Sequence, residues 1–234
     1  MKRLMKFGVL FALGVLLSTG TALAAENTYT PYDGASYTLT YYENQDGTLT
    51  ITGYTATAEG ELILPESIEG KMVTEIGRYA FSGCSGFTGS LVIPDSVSEI
   101  GNYAFSGCKG FTGSLVIPNS VTQIGYDAFY GCSGFTGNLV IPNSVTTIES
   151  SAFSECSGFT GSLVIPDSVS EIGNYAFSGC SGFTGNLFIP DSVTTIGDEA
   201  FYGCSGFTGS LTIGNGVTEI REDAFSGCSG FTGN

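Results

Sequence analysis

The chain is 234 residues long, contains no histidine, and sets 7 Lys and Arg against 22 Asp and Glu, a net charge of −15 at pH 7. Without His, neither a Ser-His-Asp nor a Cys-His nucleophile system can be assembled. A surface this acidic repels nucleic-acid phosphates and anionic lipid headgroups, so no nucleic acid is expected among its partners.

In chain order, the first feature is an export leader. Lys2, Arg3 and Lys6 precede an apolar run from Phe7 to Leu17 that ends near Ala22-Leu23-Ala24. That pattern predicts a signal peptide over residues 1–24, cleaved after Ala24. The run is well short of the ~20 residues a membrane helix needs, so a retained anchor is the weaker reading and no direct membrane insertion is expected after cleavage. No cysteine stands beside the cleavage site to take a lipid. Residues 25–234 then keep four cations, Lys71, Arg78, Lys109 and Arg221, against 22 carboxylates, a net charge of −18.

Residues 25–61 read as an N-terminal β-hairpin cap. Tyr37-Thr38-Leu39-Thr40-Tyr41 and Thr48-Leu49-Thr50-Ile51-Thr52 alternate apolar and polar residues around Asn44-Gln45-Asp46-Gly47, a hairpin signature. A repeat stack needs such a cover, because its open end exposes core and unpaired strand groups.

From residue 62 to 234 the chain is periodic. Seven units begin at Leu62, Leu91, Leu115, Leu139, Leu163, Leu187 and Leu211; the first is 29 residues long and the others 24. A unit this short cannot enclose a core and buries its apolar side chains by stacking on its neighbours. The five additional residues of the first unit, Ile68 to Met72, are expected to bulge as a surface loop. Within each unit, Leu-x-Ile predicts a short parallel strand with both side chains inward. Pro94 ends it, and Pro-Asx-Ser makes a turn. Val97 and Ile100 point inward again, and Ala104-Phe105 open a tight, partly helical return. Gly83, Gly86, Gly89 and their counterparts permit the sharp path of Gly-Cys-Ser-Gly-Phe-Thr-Gly. That glycine-rich stretch lacks the Lys-Ser/Thr ending of a phosphate loop. The predicted fold class is therefore a repeat solenoid, mainly short parallel β-strands with tight or short helical turns, behind an N-terminal hairpin cap.

Cys84, Cys108, Cys132, Cys156, Cys180, Cys204 and Cys228 fall at one position of successive units and form one structural column. Neighbouring strands lie ~4.8 Å apart with parallel Cβ directions, whereas a disulfide prefers Cβ atoms ~3.8 Å apart and facing. Seven reduced, buried thiols are expected. Thiolates along a line do not converge on a tetrahedral zinc, and no metal or cofactor is assigned. The Asx column Asp95, Asn119, Asn143, Asp167, Asp191 and Asn215 raises the idea of a calcium ladder, but free exchange of Asp with Asn fits turn capping better.

The pattern Leu-x-Ile-Pro-Asx-Ser-Val-Thr-x-Ile-Gly-x-x-Ala-Phe-x-x-Cys-x-x-Phe resembles the BspA-like, bacterial surface-antigen class of leucine-rich repeats over residues 62–234. The additional residue in Phe-Thr-Gly-Ser-Leu departs from that class and bears on curvature. The resemblance implies a secreted or bacterial cell-surface solenoid that adheres to proteins of a host or a neighbouring cell, with no catalysis. Paired carboxylates are the hydrolytic chemistry the composition leaves open, yet no unit carries a unique polar cluster.

Two surfaces are candidates for binding. The outward residue of each first strand, Val92, Val116, Val140, Val164, Phe188 and Thr212, makes an apolar stripe. It reads either as ordinary β-propensity on an exposed strand or as a protein-binding face. Tyr103, Tyr126, Tyr130, Tyr175 and Tyr202 form a second candidate. Because Asn234 falls where another Leu-x-Ile strand would start, end-to-end self-association, as a structural envelope component, is the alternative to adhesion; the same position leaves open whether the chain is a fragment of a longer array.

Overall fold

The computed structural model describes residues 26–32, 34–55 and 58–232; the leader and Asn234 lie outside them. The repeats wind into a β-solenoid of seven coils, and no helix occurs among the described residues. In the cap, β1 (Asn27–Tyr29) and β3 (Leu49–Tyr54) flank β2 (Leu39–Glu43), both antiparallel to it. The first coil contains β4 (Gly60–Ile63), β5 (Ser67–Ile68) and β6 (Lys71–Ile76), and the second β7 (Phe87–Val92) and β8 (Glu99–Ile100). Two strands per coil then recur as β9 (Leu115–Val116) and β10 (Gln123–Ile124), and as β11 (Leu139–Val140) and β12 (Thr147–Ile148). The fifth coil keeps β13 (Glu171–Ile172), and the last two carry β14 (Leu187–Ile189), β15 (Thr195–Ile196), β16 (Leu211–Ile213) and β17 (Glu219–Ile220).

Strand pairing between coils is parallel and in register. Leu115 lies beside Leu139, Leu187 beside Leu211, and Ile148, Ile172, Ile196 and Ile220 follow one another. The cap joins the same system: β3 pairs in parallel with β6, and Tyr37, Leu39, Tyr41, Leu49 and Ile51 are buried against the first coil. Tyr54 stacks on Phe81 with ring centroids 5.4 Å apart. The hairpin thus closes the apolar end of the stack and supplies the partner that β6 lacks.

Two phenylalanine columns form the spine of the core. Phe105 stacks on Phe81 and on Phe129 at 5.2 Å each, and Phe135 on Phe159 at 5.6 Å. From the first coil to the sixth, the Leu, Val, Ala, Phe and Cys positions are buried. In the seventh coil Ile213 and Ile220 are 37% and 49% exposed.

Backbone hydrogen bonds explain why coils this short hold shape. In the return, Ala104 N, Ser106 N and Cys108 N donate to Gly101 O, Tyr103 O and Phe105 O within the coil. The alternate donors, Tyr103 N, Phe105 N and Gly107 N, reach Tyr126 O, Ala128 O and Tyr130 O of the next coil. Left-handed residues Tyr103 (φ 59°) and Gly107 (φ 75°) turn every second N–H outward in this way. The return is tight, as expected, but it is a chain of hydrogen-bonded turns without the partly helical character.

Two further expectations are corrected. The insertion Ile68 to Met72 is no loop: Ser67–Ile68 pairs antiparallel with Lys71–Met72 across Glu69 (φ 53°) and Gly70 (φ 81°), and Ile68 is buried. Two positive φ values at a two-residue turn match the twist of a hairpin. Nor are all seven thiols reduced, since Cys84 and Cys108 are disulfide-bonded with Cα atoms 4.7 Å apart. The spacing of stacked coils falls inside the 4.4–6.8 Å range that bridged cysteines span. The other five are free, four of them buried and Cys228 half-buried.

Candidate binding face

The outward position of the first strand is set by strand periodicity. Leu and Ile of Leu-x-Ile face the core, so the residue between them faces water. Val92, Val116, Val140, Val164 and Phe188 are 42–65% exposed, and Thr212 is exposed in the same column. Register places Ile63 beside Val92, Val116 beside Val140 and Phe188 beside Thr212. Ile63, 38% exposed, extends the stripe into the first coil. Sequence reading missed it, although Leu62-Ile63-Leu64 has the same pattern.

The flanking polar side chains are occupied between coils. Ser114 Oγ accepts from Asn138 N at 3.1 Å and Asn186 Oδ1 from Ser210 N at 2.8 Å. In the next column, Thr160 Oγ1 donates to Thr136 O at 2.8 Å and Thr184 Oγ1 to Thr160 O at 3.2 Å. Their hydrogen bonds run along the solenoid, which leaves the Val and Phe side chains as the unengaged feature of this face.

Charge is segregated around the coil. From Cys84 onward, the stretch from the residue after each Cys to the end of the following Leu-x-Ile contains no charged residue except Lys109, whereas Glu61 precedes the first coil's Leu62. Glu75, Glu99, Asp127, Glu149, Glu171 and Asp198 lie instead on the second strand and the return. From Val92 to Phe188 the stripe can therefore be covered without desolvating a carboxylate, as the charge-depleted centre of a protein interface requires, whereas Ile63 has the exposed Glu61 beside it on the same strand.

The tyrosines do not gather into one site. Tyr103 stacks on Tyr79 at 4.7 Å beneath Arg78, and Tyr126 and Tyr130 occupy the third coil. Tyr175 and Tyr202 lie in the fifth and sixth coils. Glu149 raises the Tyr126 hydroxyl pKa and Glu199 that of Tyr175, both by charge proximity first. Every member of the Asx column is exposed, and Asp191 Oδ1 accepts from Asn215 N at 2.7 Å, a bond from one coil to the next. Among the described residues no group of three acidic or sulfur ligands is placed to hold a metal, and no helix is long and apolar enough to cross a membrane.

The BspA type leucine rich repeat region matches residues 74–180 and 159–232, in six copies. The chain belongs to the BspA-type leucine-rich repeat family. BspA-type proteins act in general through protein–protein contacts and are typically surface-associated and non-catalytic. The crystal structure of the Treponema pallidum leucine rich repeat protein is similar at 30% identity, with a TM-score of 0.72 over 87% of this chain and 91% of that one. A leucine-rich repeat protein from Bacteroides ovatus shares 22% identity over 83% of this chain and 80% of its own, with a TM-score of 0.36. No curated protein sequence matches the chain.

Proposed function

We propose that this BspA-type protein is exported to the cell surface and binds proteins of a host or a neighbouring cell, without catalysis, through the stripe from Ile63 to Phe188. The observation that carries the reading is an apolar ladder set, from Val92 onward, in a face whose one charged residue is Lys109, on a chain whose net charge is −15. Self-repulsion and solubility are left to the opposite side, while the stripe offers contact area along the stacked coils. Residues 1–24 supply the export signal.

The test compares the wild type with a Val140→Ser, Val164→Ser, Phe188→Ser variant on immobilised extracellular-matrix proteins, by surface plasmon resonance. Binding to a partner is expected to weaken at least about tenfold, the equivalent of 1.4 kcal/mol. These side chains are solvent-exposed, so the melting temperature should barely move. Equal binding by the two proteins would refute the assignment of this face.

A further inference from the structure

We propose that the cysteine column is a disulfide ladder, in which neighbouring coils are bridged pairwise from the N-terminal end while the chain folds, and the pattern is then sealed inside the core. Cys84 and Cys108 already show a bridge between adjacent coils, with Cα atoms 4.7 Å apart. The geometry recurs along the column. Cys132, Cys156, Cys180 and Cys204 each donate Sγ–H to the carbonyl of the Phe 27 residues earlier, at 3.0–3.1 Å. The neighbouring Phe rings keep a spacing of 5.2–5.6 Å from Phe81 to Phe201, so each step of the stack repeats the one that carries the bridge.

The chemistry requires a small-molecule disulfide as oxidant. One cysteine thiolate attacks a sulfur of RS–SR, forming a mixed disulfide and releasing RS⁻. The thiolate of the next coil attacks the protein sulfur of that mixed disulfide and releases the second RS⁻. One protein disulfide forms, and one RS–SR is reduced to two thiols, which take up the two protons the cysteines lost. Timing follows from burial. In the closed solenoid Cys132, Cys156, Cys180 and Cys204 are 0–1% exposed, and burial pushes the Cys132 thiol up to about 12, so almost no thiolate is available to exchange. Bridging belongs to the stage when coils are still docking, and docking proceeds outward from the hairpin cap, whose β3 gives the first coil a ready-made partner. Pairing from that end gives Cys84–Cys108, Cys132–Cys156 and Cys180–Cys204. It leaves Cys228, the thiol that is half-buried rather than buried.

Both partners of each pair hold the same position of adjacent coils, so a bridge pins the two coils against separation. An array of this kind has weak points at each interface between coils, and a bridge across one closes a 24-residue loop in the unfolded chain.

The experiment refolds the full chain, reduced and denatured, in a buffer of reduced and oxidised glutathione, then blocks free thiols with iodoacetamide. Cleavage before Asp and after Glu separates all seven cysteines, since acids stand between each adjacent pair. Peptide mass mapping should find links between cysteines one coil apart, three per chain, and alkylated Cys228. Native, fully reduced protein placed in the same buffer should gain none of the buried bridges. The oxidised form should melt about 3 °C or more higher per bridge. Cys84→Ser should move the register by one coil, to Cys108–Cys132, Cys156–Cys180 and Cys204–Cys228. Alkylation of Cys132 to Cys204 throughout after oxidative refolding, or links that skip a coil, would overturn the ladder. Wild-type pairs unchanged in Cys84→Ser would overturn the N-terminal order.

Discussion

A methyl group added at Gly158 would lie 2.2 Å from Ser133 O and 2.5 Å from Phe135 O, both backbone atoms of the preceding coil. Neither can move without opening the stack, so Gly158→Ala should cost about 2–3 kcal/mol in urea unfolding. Glu155 is the reverse case. It has φ 60° where other coils place Gly, as at Gly131 (φ 68°) and Gly179 (φ 74°). A left-handed residue with a Cβ costs about 1–2 kcal/mol relative to glycine, so Glu155→Gly should stabilise by about 1 kcal/mol in the same assay. Stability unchanged in Gly158→Ala would mean that coil spacing is looser than these contacts allow, and unchanged in Glu155→Gly that the left-handed backbone there carries no strain. Sequence reading located these glycines but gave them one role, chain reversal. The return glycine before Cys needs its left-handed φ, whereas the glycine before Phe needs only the absence of a side chain, and letters do not separate the two. The left-handed column of Tyr79, Tyr103, Asp127, Ser151, Tyr175, Glu199 and Asp223 left no mark in the sequence, because no coil uses Gly there.

The coil is the unit in which packing and hydrogen bonding agree. Phe153 is fully buried, with Phe129 and Phe177 stacked on its two faces at 5.6 Å each. Phe153→Ala removes both contacts and should cost about 3–5 kcal/mol. In an array with only nearest-neighbour contacts that loss is local. Amide hydrogen exchange should then show protection falling in the third to fifth coils and staying near wild type in the cap. A uniform loss across the chain would instead mean that the coils unfold as one unit. At this scale the sequence was legible: period, strand positions, inward residues and cap all follow from apolar spacing. Two features were not. The hairpin at Glu69-Gly70 has no strong turn dipeptide, and the Cys84–Cys108 bridge depends on how the two Cβ atoms are turned toward each other, which the ~4.8 Å spacing of stacked strands does not decide.

At the scale of the molecule, charge is stacked as regularly as the core. Glu75 and Glu99 pair in register on adjacent coils, and the pKa of Glu99 is raised, by burial first and by the charge of Glu75 second. Asp127 is raised as well, chiefly by burial. A carboxylate whose folded pKa exceeds its unfolded value binds its proton more tightly when folded. Its contribution is complete below the unfolded pKa and is lost as pH rises through the folded one. With a net charge of −15, repulsion along the stack acts in the same direction. The melting temperature should therefore rise as pH falls from about 7 to about 5, through the upper part of the carboxylate range. Asp46 opposes this at lower pH. Its bonds from the side chain and backbone N–H of Thr48 depress its pKa, so its contribution is present above the unfolded pKa and is lost as pH falls through the folded one. Differential scanning calorimetry from pH 8 to pH 3 should trace a dome with its maximum on the acidic side of neutrality. Sodium chloride provides the control, because screening acts on repulsion between separated charges and barely on burial. Added salt should raise the melting temperature at pH 7 and have less effect at pH 5. A melting temperature that falls steadily from pH 7 downward would show that the stacked acids are held by partners that favour their ionised form.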